Sequence, residues 1–198
     1  VISDRFVIVG NGPSAAGYTP PDDVTVIAVN GAIDWLPRAD YWFTLDPSPE
    51  NMVRMRERKP NTVYYCANEG NQESPRGVMR LDRVSQKGGR EPFEKDTPEW
   101  YLWRWGGMLG LSEDSRKIHS GNSAYGALGL AYHLGAKKVL LVGVDGTQEP
   151  KLDGKIPRNL SHLPILFESA KGQIDFKSIG FLPVNKTEEE EGKSWLIQ

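Results

Sequence analysis

Three short runs constrain the fold of this chain more than any other feature: RFVIVG (5–10), VTVIAV (24–29) and KKVLLVGVD (137–145). Each has a nearly unbroken apolar stretch rich in valine and isoleucine, and each stops at glycine or, at its border, asparagine or aspartate. A strand with one face in water alternates apolar and polar residues. A strand that is apolar throughout is covered on both faces, as in the parallel sheets of α/β proteins. DYWFTLD (40–46), NTVYYCA (61–67) and FKSIGFLPV (176–184) read as three further strands. Helix signals lie between them. In SPENMVRMRER (48–58), Ser48 suits an N-cap and Pro49 the first helical position. Ser120 begins a second helix through about Leu134, closed by Gly135, and a third runs from about His162 to Lys171.

The alternation predicts an α/β fold: a single Rossmann-like domain over residues 1–185, with a mainly parallel sheet and helices on both faces. Residues 68–117 keep no clean period and read as an irregular insertion, a lid or acceptor region. Residues 186–198 read as a flexible acidic tail. The formal net charge is -2, and the tail alone, with two lysines and four glutamates, accounts for it. The body is therefore near neutral, and bulk charge selects no partner. Cys66 is the only cysteine, which excludes an internal disulfide and a Cys-rich zinc site. No run approaches the ~18 apolar residues of a membrane span. The absence of a basic-then-apolar leader pattern places the expected location in the cytoplasm.

In open parallel sheets ligands bind outside the carboxyl ends of the strands. Here those ends are GNGPS, Asn30, Asp46, Asn68 and GVDG. Gly10-Asn11-Gly12-Pro13-Ser14-Ala15 matches the G-x-G-x-x-[GA] pattern of dinucleotide folds, a weak signal alone. That pattern should open a helix, but Tyr18-Thr19-Pro20-Pro21 leaves room for one turn at most. It also wants an acid closing the second strand to bind ribose, and that position is Asn30. NAD is therefore not expected. An asparagine both donates and accepts, which suits a base edge or a ribose. The alternative is that Gly10 and Gly12 merely permit a tight turn with positive φ.

Taken together, GNGPS after strand one, the asparagine ending strand two, Asp46-Pro47-Ser48, Ser120-Gly121 at a helix start, LGAKKVLLVGVD and a late histidine resemble bacterial sialyltransferases of glycosyltransferase family 42. They also resemble the related domain of unknown function 115, which includes pterin diphosphokinase-like and flagellin-modifying proteins. The resemblance spans residues 5–67 and 118–184. It implies a nucleotide-sugar donor of the cytidine monophosphate type, a glycan or other hydroxyl acceptor, and no required cofactor. It implies donor contacts at Gly10, Asn11, Gly12, Ser14, Asn30, Asp46, Ser120, Gly121 and Asp145, with His162 as general base. A helix start favours an anion, which fits Ser120-Gly121 beside the donor phosphate; Ser120 alternatively serves as a simple N-cap.

Two departures keep other readings open. The family's loop tyrosines, which stabilise the leaving phosphate, are missing from residues 146–160, where Lys151, Lys155 and Arg158 either substitute by charge or belong to a solvated surface. Asp46 replaces an asparagine and sets a negative charge near a phosphate unless a metal or cation lies between. A Mg²⁺-dependent diphosphokinase, with Asp46 and Asp145 sharing the metal at neighbouring strand ends, is one alternative. A nucleotide-binding protein without catalysis is another. In the insertion, five basic residues (Arg76, Arg80, Arg83, Lys87, Arg90) precede WYLWRWGG (100–107). Trp100, Trp103 and Trp105 either stack on an acceptor, a glycan better than a nucleic acid, or pack into the core or into an interface of a homo-oligomer.

Overall fold

Strand after strand in this chain pairs in the same direction. The computed structural model describes residues 3–198. Its strands are β1 (Arg5–Val9), β2 (Thr25–Val29), β3 (Tyr41–Thr44), β4 (Val63–Asn68), β5 (Met79–Val84), β6 (Lys117–His119), β7 (Lys138–Val142) and β8 (Asp175–Ile179). Among the described residues they form one parallel sheet in the order β6-β5-β4-β3-β2-β1-β7-β8. The three runs that define the fold lie side by side as the fifth to seventh of these eight strands, Phe6 facing Thr25 on one side and Val139 on the other.

Because side chains alternate along a strand, these central strands feed two cores. On one face Phe6, Ile8, Ile27 and Phe43 pack with Leu128 and Leu130 of α4 (Ser123–His133) and with Leu166 and Phe167 of α5 (Leu163–Ser169). On the other, Val7, Val9, Val26 and Trp42 meet Ile33 of α1 (Ala32–Trp35), Met55 of α2 (Pro49–Arg56) and Leu196 of α6 (Glu189–Ile197). Helices thus cover both faces, as the strand pattern requires. α4 carries the chain from the β6 edge back across β3, β2 and β1 to β7. It lies close on the sheet: a Cβ added at Gly126 would sit 2.7 Å from the Phe43 ring. Ser48 caps α2 as expected, its hydroxyl accepting from the Asn51 N–H at 3.3 Å.

The structure differs from the sequence expectations in three places. The insertion is not irregular throughout, since it supplies β5, α3 (Pro98–Arg104) and the first residue of β6, and with these the sheet is wider by two strands. The β5 residues MRLDRV carry charge at Arg80, Asp82 and Arg83 and are all exposed or half-buried, so no apolar run announces them. The acidic tail is not frayed along its length. Its helix α6 buries Leu196, and Trp195 lies under the ammonium groups of Lys138 and Lys177. The N-cap of α4 is Asn122 rather than Ser120. No helix among the described residues is long and apolar enough to cross a membrane.

Candidate functional site

The strand order reverses between β1 and β7, and in a parallel sheet such a reversal leaves a crevice beyond the carboxyl ends. A cavity of about 560 Å³ opens there. It is lined by Asn11 after β1, Asn30 after β2, Asp46 after β3, Arg83 of β5, Gly121 and Asn122 at the start of α4, and His162 at the start of α5. Acidic and basic side chains line it in equal number, so its character rests on which charges are paired.

The glycine-rich turn is held by β7 and its following loop. Gly10 N–H donates to Val142 C=O at 2.8 Å and Gly12 N–H to Gly143 C=O at 2.9 Å. A Cβ on Gly10 would stand 2.5 Å from the Gly143 oxygen, and one on Gly12 2.6 Å from the same atom. Neither residue has a positive φ, so glycine is required here for close approach rather than for backbone conformation. Asp145, 6 % exposed, completes the clasp. Its carboxylate accepts from Ser14 N–H at 2.9 Å, from the Ser14 hydroxyl, and from Phe181 N–H at 3.2 Å. The amides of Gly10, Gly12 and Ser14 are therefore spent inside the protein. A single 3₁₀ turn, Pro13–Ala15, follows instead of a helix. Ser14 and Asp145 bond each other, and of the turn's N–H groups only that of Asn11 is left without a partner among the described residues.

Beyond β2 lies a polar floor. Asn30 sits at φ 51°, where asparagine is tolerated. Its Oδ1 accepts from Thr44 Oγ1 at 2.6 Å and from Asn51 Nδ2 at 3.0 Å. Asn51, 1 % exposed, accepts from Arg54 Nη1 at 2.7 Å, and Arg54 pairs with Asp34. Asn11 accepts from the Trp35 indole at 2.9 Å. The side-chain Nδ2 groups of Asn11 and Asn30 keep no protein partner among the described residues, leaving two donors for a ligand.

The cation of the site comes from the insertion. Arg83 is half-buried, donating from Nε to Ser120 Oγ at 2.8 Å and from Nη1 to Leu45 C=O at 3.1 Å. No carboxylate among the described residues lies within ion-pair distance of it. Burial pulls its pKa below the ordinary arginine value, against the opposing charges of Glu69 and Asp46. Ser120 is fully buried and serves to hold this guanidinium, neither capping α4 nor facing the cavity. Capping falls to Asn122, whose side chain accepts from Ala124 N–H at 2.8 Å and Tyr125 N–H at 3.3 Å. Arg83 thus brings to the cavity wall a guanidinium with no ion-pair partner among the described residues, opposed only by the more distant charges of Glu69 and Asp46.

His162 lies in the cavity wall but is only 1 % exposed. Its Nε2 is 2.9 Å from Gly121 C=O, a contact that requires the proton on Nε2, and Nδ1 is buried without a partner. Burial lowers its pKa and keeps the ring neutral. Of the three tryptophans only Trp105 reaches the cavity, with the Arg158 guanidinium 5.0 Å from its ring. Trp100 is buried against Glu91, and Trp103 donates to Gly89 C=O, so neither lines the cavity. The segment 146–160 crosses the mouth, tied by Leu152 N–H to Asn11 C=O at 3.0 Å and by Lys155 to Glu50 at 2.6 Å. Lys151 and Arg158 on it have no ion-pair partner among the described residues.

Asp46 and Asp145 are not at neighbouring strand ends. β2 and β1 lie between β3 and β7, a separation of roughly 14 Å at ~4.8 Å per strand. Asp145 is also committed to its clasp, so this pair does not share one metal ion. Sequence reasoning missed Arg83 as a site residue because it was one of five basic residues in a segment read as irregular. It missed Asn51 and Asn122 because each reads as an ordinary helix residue. A scan of the chain against protein-family models and a search of curated proteins find no match.

Proposed function

We propose that the cavity binds a nucleotide-activated donor through a single phosphate, and that the chain is a transferase using a cytidine monophosphate type sugar donor. The observation that carries this reading is Arg83, a half-buried guanidinium with no carboxylate partner, set beside the start of α4. One such cation suits the single charge of the phosphodiester that joins nucleoside and sugar in such a donor. A diphosphate normally calls on a nest of backbone amides, and the turn at Gly10–Ser14 has spent three of its four inside the protein, keeping only that of Asn11. Arg83 also lies within electrostatic reach of Asp46, which supplies the cation that an aspartate near a phosphate calls for. The free amide donors of Asn11 and Asn30 suit the acceptor-rich edge of a pyrimidine or the ribose hydroxyls.

In this reading His162 is a positioning residue. Its bond to Gly121 C=O fixes the corner from which α4 starts, and its shielded Nδ1 takes a proton only if the cavity wall opens. That shielding favours, as a second reading, a nucleotide-binding protein without turnover. Calorimetry with CMP, ATP with and without Mg²⁺, and NAD tests the site. CMP is expected to bind, and Arg83→Ala to weaken it roughly ten- to hundredfold, the ~1.5–3 kcal/mol of a charge-assisted hydrogen bond. Equal CMP affinity in Arg83→Ala would overturn the assignment. A turnover screen with CMP-sugars separates the two readings.

A further inference from the structure

A second cavity, of about 270 Å³, adjoins the first and shares Asp46 and Pro47 with it. Met52 and Met55 of α2 and Cys66 of β4 give it a soft apolar wall, while Asn68, Glu73 and Ser74 face it with polar groups. Its charge is opposite in kind to that of Arg83. Two carboxylates, Asp46 and Glu73, line it, and no lysine or arginine does. Asp46 is exposed. One of its oxygens accepts from Ser48 N–H at 3.1 Å, and the other has no protein partner among the described residues. The cavity is smaller than the ~300–1,000 Å³ typical of drug-sized ligands. Amides and carboxylates beside thioethers suit a compact molecule with hydroxyls on its rim and C–H groups on its face.

We propose that this second cavity is the acceptor subsite, taking a neutral or amine-bearing polyol of monosaccharide size, with Asp46 as the catalytic carboxylate between acceptor and donor. The proposal rests on the donor reading above. The acceptor hydroxyl passes its proton to the free oxygen of Asp46, and its own oxygen bonds to the anomeric carbon of the donor sugar. The bond from that carbon to the phosphate oxygen breaks, and its electron pair leaves with the nucleoside monophosphate, whose charge faces Arg83. An anionic acceptor is rejected by Asp46 and Glu73.

The four methionines of the chain make the subsite observable, since Met52 and Met55 line it and Met79 and Met108 do not. In the full chain labelled with ¹³C at the methionine methyl groups, glucose and glucosamine are expected to shift Met52 and Met55 and leave Met79 unmoved. Glucuronate is expected to shift none of these, and Asp46→Ala to reduce the glucosamine response at least threefold. No response at Met52 and Met55, or an equal response to glucuronate, overturns the subsite. CMP binding is measured separately by calorimetry on the same sample, so loss of the donor reading is seen independently. With a CMP-sugar, Asp46→Asn is expected to lower kcat at least about a hundredfold while CMP affinity, relieved of a negative charge beside Arg83, does not fall. Retained turnover in that variant overturns the catalytic role.

Discussion

Replacing Asp145 by alanine removes the acceptor for two backbone N–H groups, Ser14 and Phe181, and for the Ser14 hydroxyl. Each stranded amide is part-buried and costs roughly 1.5 kcal/mol, in the lower half of the ~1–3 kcal/mol range for an unsatisfied buried group, and the loss of the hydroxyl bond costs roughly 1 kcal/mol. The expected loss is about 4 kcal/mol, a large part of the ~5–15 kcal/mol that holds a typical domain together. At an m-value near ~2.5 kcal/mol/M, the urea midpoint falls by roughly 1.5 M. Urea unfolding followed by tryptophan fluorescence reads this directly. Ser14→Ala alone is expected to cost only about 1 kcal/mol, and the double variant less than the sum, because the two residues share their bonds. A midpoint shift below roughly 0.4 M for Asp145→Ala, with m unchanged, would refute the clasp. A metal-ligand role predicts the opposite pattern: little loss of stability without metal, and loss of Mg²⁺-dependent binding.

Three further outcomes are expected. His162→Gln, whose Nε2 takes the place of the ring Nε2, can still donate to Gly121 C=O and should keep CMP affinity within about threefold, whereas His162→Ala should weaken it roughly tenfold; a hundredfold loss of kcat in the glutamine variant at full CMP affinity would restore histidine as the base. Because the folded pKa of His162 lies below its ordinary 6.5, the unfolded chain binds the proton first. Its contribution to stability is thus complete above about pH 6.5 and declines as pH falls below it, by at most ~1.4 kcal/mol per pH unit, and this slope should be absent from a urea series on His162→Gln. Leu196 is fully buried, and Leu196→Ala should cost ~2–4 kcal/mol in the same assay, where a frayed tail would register no change.

The central strands and their direction were legible because burial on both faces writes itself into the sequence as unbroken apolar runs. β5 was hidden for the converse reason. Its backbone pairs with β4 and β6, but its side chains carry charge, and pairing of backbone leaves no mark on residue type. The glycines of GNGPS were visible as a turn, yet their cause, the approach of the Gly143 carbonyl, belongs to a strand far along the chain. Asn30 and Asp46 were placed at the cavity by their strand ends alone. Arg83 was not, because a basic residue declares itself as a site only once burial has stripped it of partners. His162 reached the cavity wall as expected, but its bond to Gly121 depends on how α4 and α5 meet, which no local pattern specifies.

The place of β7 beside β1 has a kinetic consequence. Arg5 pairs with Lys138, and everything from β2 to α4 lies between them in sequence. Contacts of such long range are slow to form, because loop closure is opposed by chain entropy before any pairing rewards it. Until Val142 is in place, one side of a valine-rich strand offers its N–H and C=O groups to any neighbouring chain, a template for aggregation. The turn at Gly10–Gly12 also hangs on the carbonyls of Val142 and Gly143, so the cavity is complete only once β7 has docked beside β1. Recovery on refolding should therefore depend on protein concentration, and ligand binding should mark molecules in which that closure is complete.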